Sequence, residues 1–215
     1  MRRLLLSILS AGASDVDSGR RGAAGMGVKS TAPQAAAGTH PKIAASGWQP
    51  GFTSSLPDLS SDYAMRLACD AQLATWTPAA GANEAKPINC VSWYEAFAFC
   101  IWDGGRLPTE AEVSLAAVAG QNQRPYPWGA ADPDPTYAVY GCLGDGNDAG
   151  CAQGDILAVG SRSPKGDTAT GQADLAGSVQ EWMLDWANNP LPVPCSDCAD
   201  LNAASGRAIR AGAFH

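Results

Sequence analysis

The amino-acid sequence predicts a single domain of short helices and short strands joined by long ordered loops. Its 215 residues, 46% hydrophobic and 16% charged, suffice for one buried core and are cramped for two. Its 24 Gly and 15 Pro interrupt the backbone too often for long elements. Two capping boxes stand close together, and the chain beyond them is rich in Gly, Asp and Pro.

The domain is expected over residues 41–215, preceded by a disordered leader or weak signal segment over 1–40. Arg2 and Arg3 precede the apolar run Leu4–Leu9, and Ala11 and Ala13 have the small-residue spacing of a signal cleavage site. Residues 14–38 are dominated by Ala, Gly, Ser and Thr, which fits a disordered leader equally well. Ser92-Trp93-Tyr94-Glu95 is the first capping box and starts a helix at Trp93. Trp93, Ala96, Phe97, Cys100 and Ile101 fall on one stripe of it, and Asp103-Gly104-Gly105 ends it. Thr109-Glu110-Ala111-Glu112 starts a second helix, expected to run to Gly120. After Pro127-Trp128-Gly129 only short strand-like pieces such as Ile156–Val159 break a loop that reaches residue 173. Such a loop calls for a covalent bridge or an ion to order it.

The formal charge of −7 supplies no footprint for nucleic acid, and no apolar run approaches the roughly 20 residues of a membrane span. Seven cysteines favour an oxidising, extracytoplasmic or secreted setting. Loop closure suggests Cys69 with Cys90, Cys142 with Cys151, and Cys195 with Cys198, although the last, a Cys-x-x-Cys, could equally be a redox pair or half a metal site. Cys100, among Phe97, Phe99 and Ile101, reads as the free buried thiol. A full zinc site would need two more ligands, and only His40 and His215 exist. Neither lies in a motif that would orient it for Ser-His-Asp catalysis.

Five segments occur in a characteristic order: Pro87-Ile88-Asn89-Cys90-Val91-Ser92-Trp93, Gly105-Arg106-Leu107-Pro108-Thr109-Glu110-Ala111-Glu112, Pro127-Trp128-Gly129, Asp174-Leu175-Ala176-Gly177-Ser178-Val179-Gln180-Glu181-Trp182, and Arg207-Ala208-Ile209-Arg210-Ala211-Gly212-Ala213-Phe214. The series resembles the sulfatase-modifying factor family, the formylglycine-generating enzymes. The resemblance implies an α+β domain, a C-type lectin-like variant with two short helices, short antiparallel strands and much ordered loop. It implies an oxidase that converts a sulfatase cysteine to formylglycine with dioxygen and copper(I), a soft ion suited to two thiolates. The family's thiolate pair lies downstream of the strand matched by Arg210-Ala211-Gly212-Ala213-Phe214, and this sequence ends at His215. The expectation is therefore a partial, non-catalytic family domain with no copper. The alternatives are a formylglycine-generating oxidoreductase and a lectin-like module for a peptide or glycan ligand.

The same resemblance implies calcium at Asp174, Gly177, Val179 and Glu181, two carboxylates plus carbonyls from a tight Gly turn. The competing account has Asp174 closing an Asx turn and Glu181 pairing with Arg207 or Arg210. A second family calcium site places an asparagine where Val139 stands, so that site is expected to be lost, and Asp145, Asn147 and Asp148 read as a solvated acidic turn. Val113 and Gln180 replace family tryptophans and are expected in a relaxed or solvent-reached core. Trp93, Trp102 and Trp182 are expected in the core, and Glu110 with Glu112 to serve as helix caps.

Overall fold

The computed structural model describes residues 29–147, 150–188 and 195–214. The signal-like segment, Asp148 and His215 lie outside the described residues.

Each helix starts where a side chain meets backbone N–H groups that lack a helical partner. In α1 (Ser60–Leu67), which no sequence signal announced, Leu59 N–H donates to Asp62 Oδ2 at 3.3 Å. In α2 (Trp93–Trp102), Ser92 Oγ accepts from Glu95 N at 3.3 Å and Glu95 Oε2 accepts from Ser92 N at 2.7 Å. In α3 (Glu110–Ala117), Thr109 and Glu112 repeat the exchange at 3.1 and 2.9 Å. Gly104, at φ +83°, takes the chain out of α2 as the Gly pair predicts. α3 stops before the expected Gly120, because Ala119 has already turned left-handed at φ +54°.

Two strands, β1 (Glu181–Trp186) and β2 (Arg207–Arg210), form an antiparallel ladder pairing Glu181 with Arg210 and Trp182 with Ile209. A bulge separates those pairs from Trp186 opposite Arg207. The fold is thus the expected mixture of short helices and short antiparallel strands. Ile156–Val159 is not a strand: a 3-10 turn, Gln153–Asp155, precedes it, Ile156 is buried, and Val159 N–H is held by Ala85 O at 2.8 Å.

β1 is buried on both faces and organises the core. Leu184 packs with Trp48, Leu56, Trp93, Phe97 and Leu107, while Met183 packs with Val113 and Leu175. Two indole N–H groups tie β1 to the entrance of α2: Trp93 Nε1 donates to Met183 O at 2.7 Å and Trp182 Nε1 to Val91 O at 2.9 Å. Leu184 N–H donates to Pro108 O at 2.8 Å, fixing the chain just ahead of α3. Arg207 lies between the rings of Trp93 and Trp186, 3.6 and 3.9 Å from their centroids.

Some expectations need correcting. Trp102 is 53% exposed, because it falls off the apolar stripe of α2 and leans on Phe99. Val113 is fully packed rather than relaxed, since Leu175 and Met183 fill the space around a small side chain, whereas Gln180 is exposed. Packing also reaches back before residue 41: Ala36 N–H donates to Trp48 O and Trp48 N–H to Ala37 O, both at 2.8 Å, and His40 is buried. The disulfides are Cys69–Cys90, Cys142–Cys151 and Cys195–Cys198, with Cys100 free and buried, as loop closure and the helix stripe indicated.

Phe97 is 0% exposed at the centre of the largest cluster, so Phe97→Ala should lower the unfolding free energy by about 3–5 kcal/mol. Trp102→Ala should change it by no more than about 0.5 kcal/mol in the same urea titrations.

Candidate metal centre

Asp174 and Glu181 lie at the two ends of a tight turn that leads into β1. Gly177 makes the turn possible: its φ is +80°, and a Cβ there would sit 2.3 Å from the Val139 carbonyl oxygen. Val139 bridges Gly177 in parallel, and Ser178 N–H donates to Val139 O at 2.8 Å. Ser178 O in turn accepts Phe214 N–H at 2.8 Å. Asp174, itself left-handed at φ +57°, accepts Gly160 N–H on Oδ2 at 2.5 Å.

Both carboxylates are buried, and Glu181 is 6% exposed. Its Oε2 has no hydrogen-bond partner among the described residues. Burial first, and then the negative charge of Asp174, pushes the Glu181 carboxyl up to about 8. Burial also raises Asp174; the Gly160 N–H and the charge of Arg162 work against that rise, while the charge of Asp167 adds to it. Two buried acids that raise each other's cost of ionisation, one with an unpartnered oxygen, form a site short of positive charge.

Arg162 offsets part of the cost at Asp174, and the two arginines of β2 are engaged elsewhere. Arg210 stands opposite Glu181 in the ladder, yet its guanidinium pairs with Glu110. Arg207 is held over Trp93 and Trp186 and donates to Leu184 O at 2.9 Å. The account in which Glu181 pairs with Arg207 or Arg210 is therefore overturned: aromatic rings and Glu110 hold both guanidinium groups. Among the described residues no group of three or more His, Cys, Asp or Glu forms a metal cluster, so an ion here would rest on this acid pair and backbone oxygens.

Residues 44–214 match the family model described as the Sulfatase-modifying factor enzyme 1-like domain. The chain belongs to the sulfatase-modifying factor family. It is similar to the inactive C-alpha-formylglycine-generating enzyme 2 of Bos taurus, 38% identical over 97 residues covering 45% of this chain and 32% of that protein. It is also similar to a hercynine oxygenase of Mycobacterium tuberculosis, 36% identical over 102 residues, 45% of this chain and 21% of that protein. A third relative is the formylglycine-generating enzyme of Thermomonospora curvata, 37% identical over 110 residues, 46% of this chain and 33% of that enzyme. The chain therefore spans about a third or less of the length of these relatives.

The other acids of the family motifs are paired. Glu110 meets Arg210, and its N–H donates to Asp185 Oδ2 at 2.8 Å. Glu112 is gripped by Arg106 at 2.5 and 2.8 Å; burial opposes its charge, but Arg106 and the Thr109 N–H hold its carboxyl below the usual range. Both thus do more than cap α3. His40, without an orienting motif in the sequence, is buried with Nε2 3.4 Å from Glu112 Oε1 and Nδ1 accepting Lys42 N–H at 3.1 Å. Asp145 closes an Asx turn onto Asn147 N–H at 2.8 Å, and Val139 is buried as a backbone partner of Gly177.

A carboxyl whose folded value lies above its unfolded one favours the folded state at low pH and loses that contribution as pH rises. In a calcium chelator, stability should therefore fall between about 4.5 and about 8, by up to about 1.4 kcal/mol per pH unit where Glu181 titrates. Glu181→Gln should flatten this slope in denaturant titrations run across that range.

Proposed function

We propose that this chain is a non-catalytic sulfatase-modifying factor domain of the C-type lectin-like kind, an extracytoplasmic scaffold ordered by disulfides and calcium that presents a surface to a peptide or glycan ligand. One observation carries the reading: the state of the seven cysteines. Six are consumed in disulfides, and the seventh, Cys100, is buried in α2, where desolvation raises its thiol far above the ordinary value. A soft copper(I) ion needs a pair of accessible thiolates, and these residues do not offer one, so the donor set does not fit copper. Similarity to a relative named as inactive agrees with this reading.

Calcium fits where copper does not. Asp174 and Glu181 supply hard anionic oxygens, and the turn at Gly177 and Val179 brings backbone oxygens between them in sequence. The orphaned Glu181 Oε2 would gain a partner, and the repulsion between the two acids would be neutralised. A bound ion of this kind supplies cross-linking rather than chemistry, joining the 174–181 turn to β1. Three disulfides support an oxidising setting.

Two measurements test the proposal. Incubation with copper(I), dioxygen and a CxPxR peptide should leave the peptide thiol unchanged by mass spectrometry; appearance of an aldehyde would end the non-catalytic reading. Calcium at a hundredfold excess over its Kd should stabilise the protein by about 2.7 kcal/mol, an effect that Asp174→Asn and Glu181→Gln should each remove.

A further inference from the structure

We propose that the trough beside the 160–167 loop binds a small hydroxylated anion, an anionic sugar carrying a sulfate, phosphate or carboxylate group. The inference rests on the reading of the domain as a ligand-binding scaffold and names its ligand class. The trough has a volume of about 560 Å³, and its walls include Thr136, Asp145, Ser161, Arg162, Ser163 and Lys165. The trough is open to solvent and wide enough to admit a monosaccharide.

Charge is the first argument. In a chain of net charge −7, Arg162 and Lys165 on this wall form no salt bridge with a described residue, although the charge of Arg162 acts on Asp174 and that of Lys165 on Asp134. The Nε of Arg162 is buried and has no hydrogen-bond partner among the described residues. That nitrogen is closed off from solvent, so an oxyanion in the trough would be met by the outer part of the guanidinium, which suits a forked pair of hydrogen bonds. Lys165 is held in place, donating to Thr136 Oγ1 and lying 4.5 Å from the centroid of Tyr137. An ammonium has three donors, so capacity remains for a ligand oxygen.

Hydroxyl polarity is the second argument. Ser163 Oγ spends its proton on Asp167 Oδ1 at 2.5 Å, and Thr136 Oγ1 spends its own on Asp134 Oδ1 at 2.5 Å. What these groups still offer is acceptor capacity, which suits ligand O–H donors rather than a second anion. Asp145 Oδ1, already holding Asn147 N–H at 2.8 Å, adds another acceptor at the same wall. Two cationic side chains beside a set of acceptors describe a ligand that is anionic at one end and hydroxylated at the other.

The test is an amide chemical-shift titration of the whole chain in a calcium chelator, with glucose 6-sulfate, glucose 6-phosphate, glucuronate, glucose and inorganic sulfate as probes. At least one charged sugar should shift the amides of residues 143–146 and 161–166, with glucose and inorganic sulfate each at least about tenfold weaker; whichever charged sugar binds most tightly identifies the anionic group. Lys165→Gln, an exposed change that leaves the fold intact, should weaken binding about tenfold, and Arg162→Lys should weaken it while preserving the charge. The proposal is overturned by glucose or sulfate binding as well as the charged sugars, by shifts elsewhere only, or by indifference to both variants. Calcium stabilisation is read separately, so failure here leaves the metal reading standing, and loss of that reading leaves this titration valid.

Discussion

The fold depends on a backbone junction with no room for a side chain. Gly177 presses against Val139 so closely that any Cβ would collide with the carbonyl, and the adjoining groups carry the hydrogen-bond chain onward. Ser178 binds Val139, Phe214 binds Ser178, and Cys142 N–H binds the Phe214 carbonyl at 2.6 Å. Three stretches distant in sequence are thereby fixed by main-chain contacts, the turn into β1 among them. Val139, Ile156 and Phe214 bury a small apolar cluster around the same junction. With so little regular secondary structure, these contacts do what ladders do in a larger sheet.

Around β1 the protein buries several carboxylates and treats them in two ways. Glu110, Glu112 and Asp185 each receive a guanidinium or backbone N–H groups, so their charges are satisfied inside the chain. Asp185 still feels its burial, which raises its carboxyl to about 6 despite N–H donors from Glu110 and Asp200. Glu181 receives no such help at Oε2, and its nearest charged influence is another acid. Glu181 thus stands apart from its paired neighbours as a buried acid with an unpartnered oxygen.

Much of this was legible in the sequence because local rules governed it. The capping boxes at Ser92 and Thr109 fix the two helix starts through contacts three residues apart, and the short loops between cysteines select the disulfide partners. The family resemblance singled out Asp174 and Glu181, and the structure shows both to be buried. What escaped depended on long-range packing. His40 meets Glu112 across a wide sequence separation, with no flanking motif to announce it. Ala36 and Ala37 dock on Trp48 through backbone groups, so a composition of small residues, which suggests disorder, says nothing of their order. Arg207 and Arg210 were the partners the sequence offered Glu181, and only the positions of Trp93, Trp186 and Glu110 show why both are engaged elsewhere, although Arg210 stands opposite Glu181 in the ladder.

The cysteines tie stability to chemistry. A domain with this much loop gains from each closed ring, on the order of 2–4 kcal/mol for a well-fitted disulfide. Cys142–Cys151 closes its ring beside the Val139 junction, and Cys69–Cys90 closes one that ends just ahead of α2. Thiols committed in this way cannot also serve as thiolate ligands, because only the free thiolate binds a soft metal. The remaining thiol sits in α2 against apolar neighbours, where ionisation is suppressed by the same burial that stabilises the helix. Structural demand has therefore taken up these cysteines, while hard carboxylates stand at the turn into β1 and hydroxyl and cationic groups along the 160–167 loop.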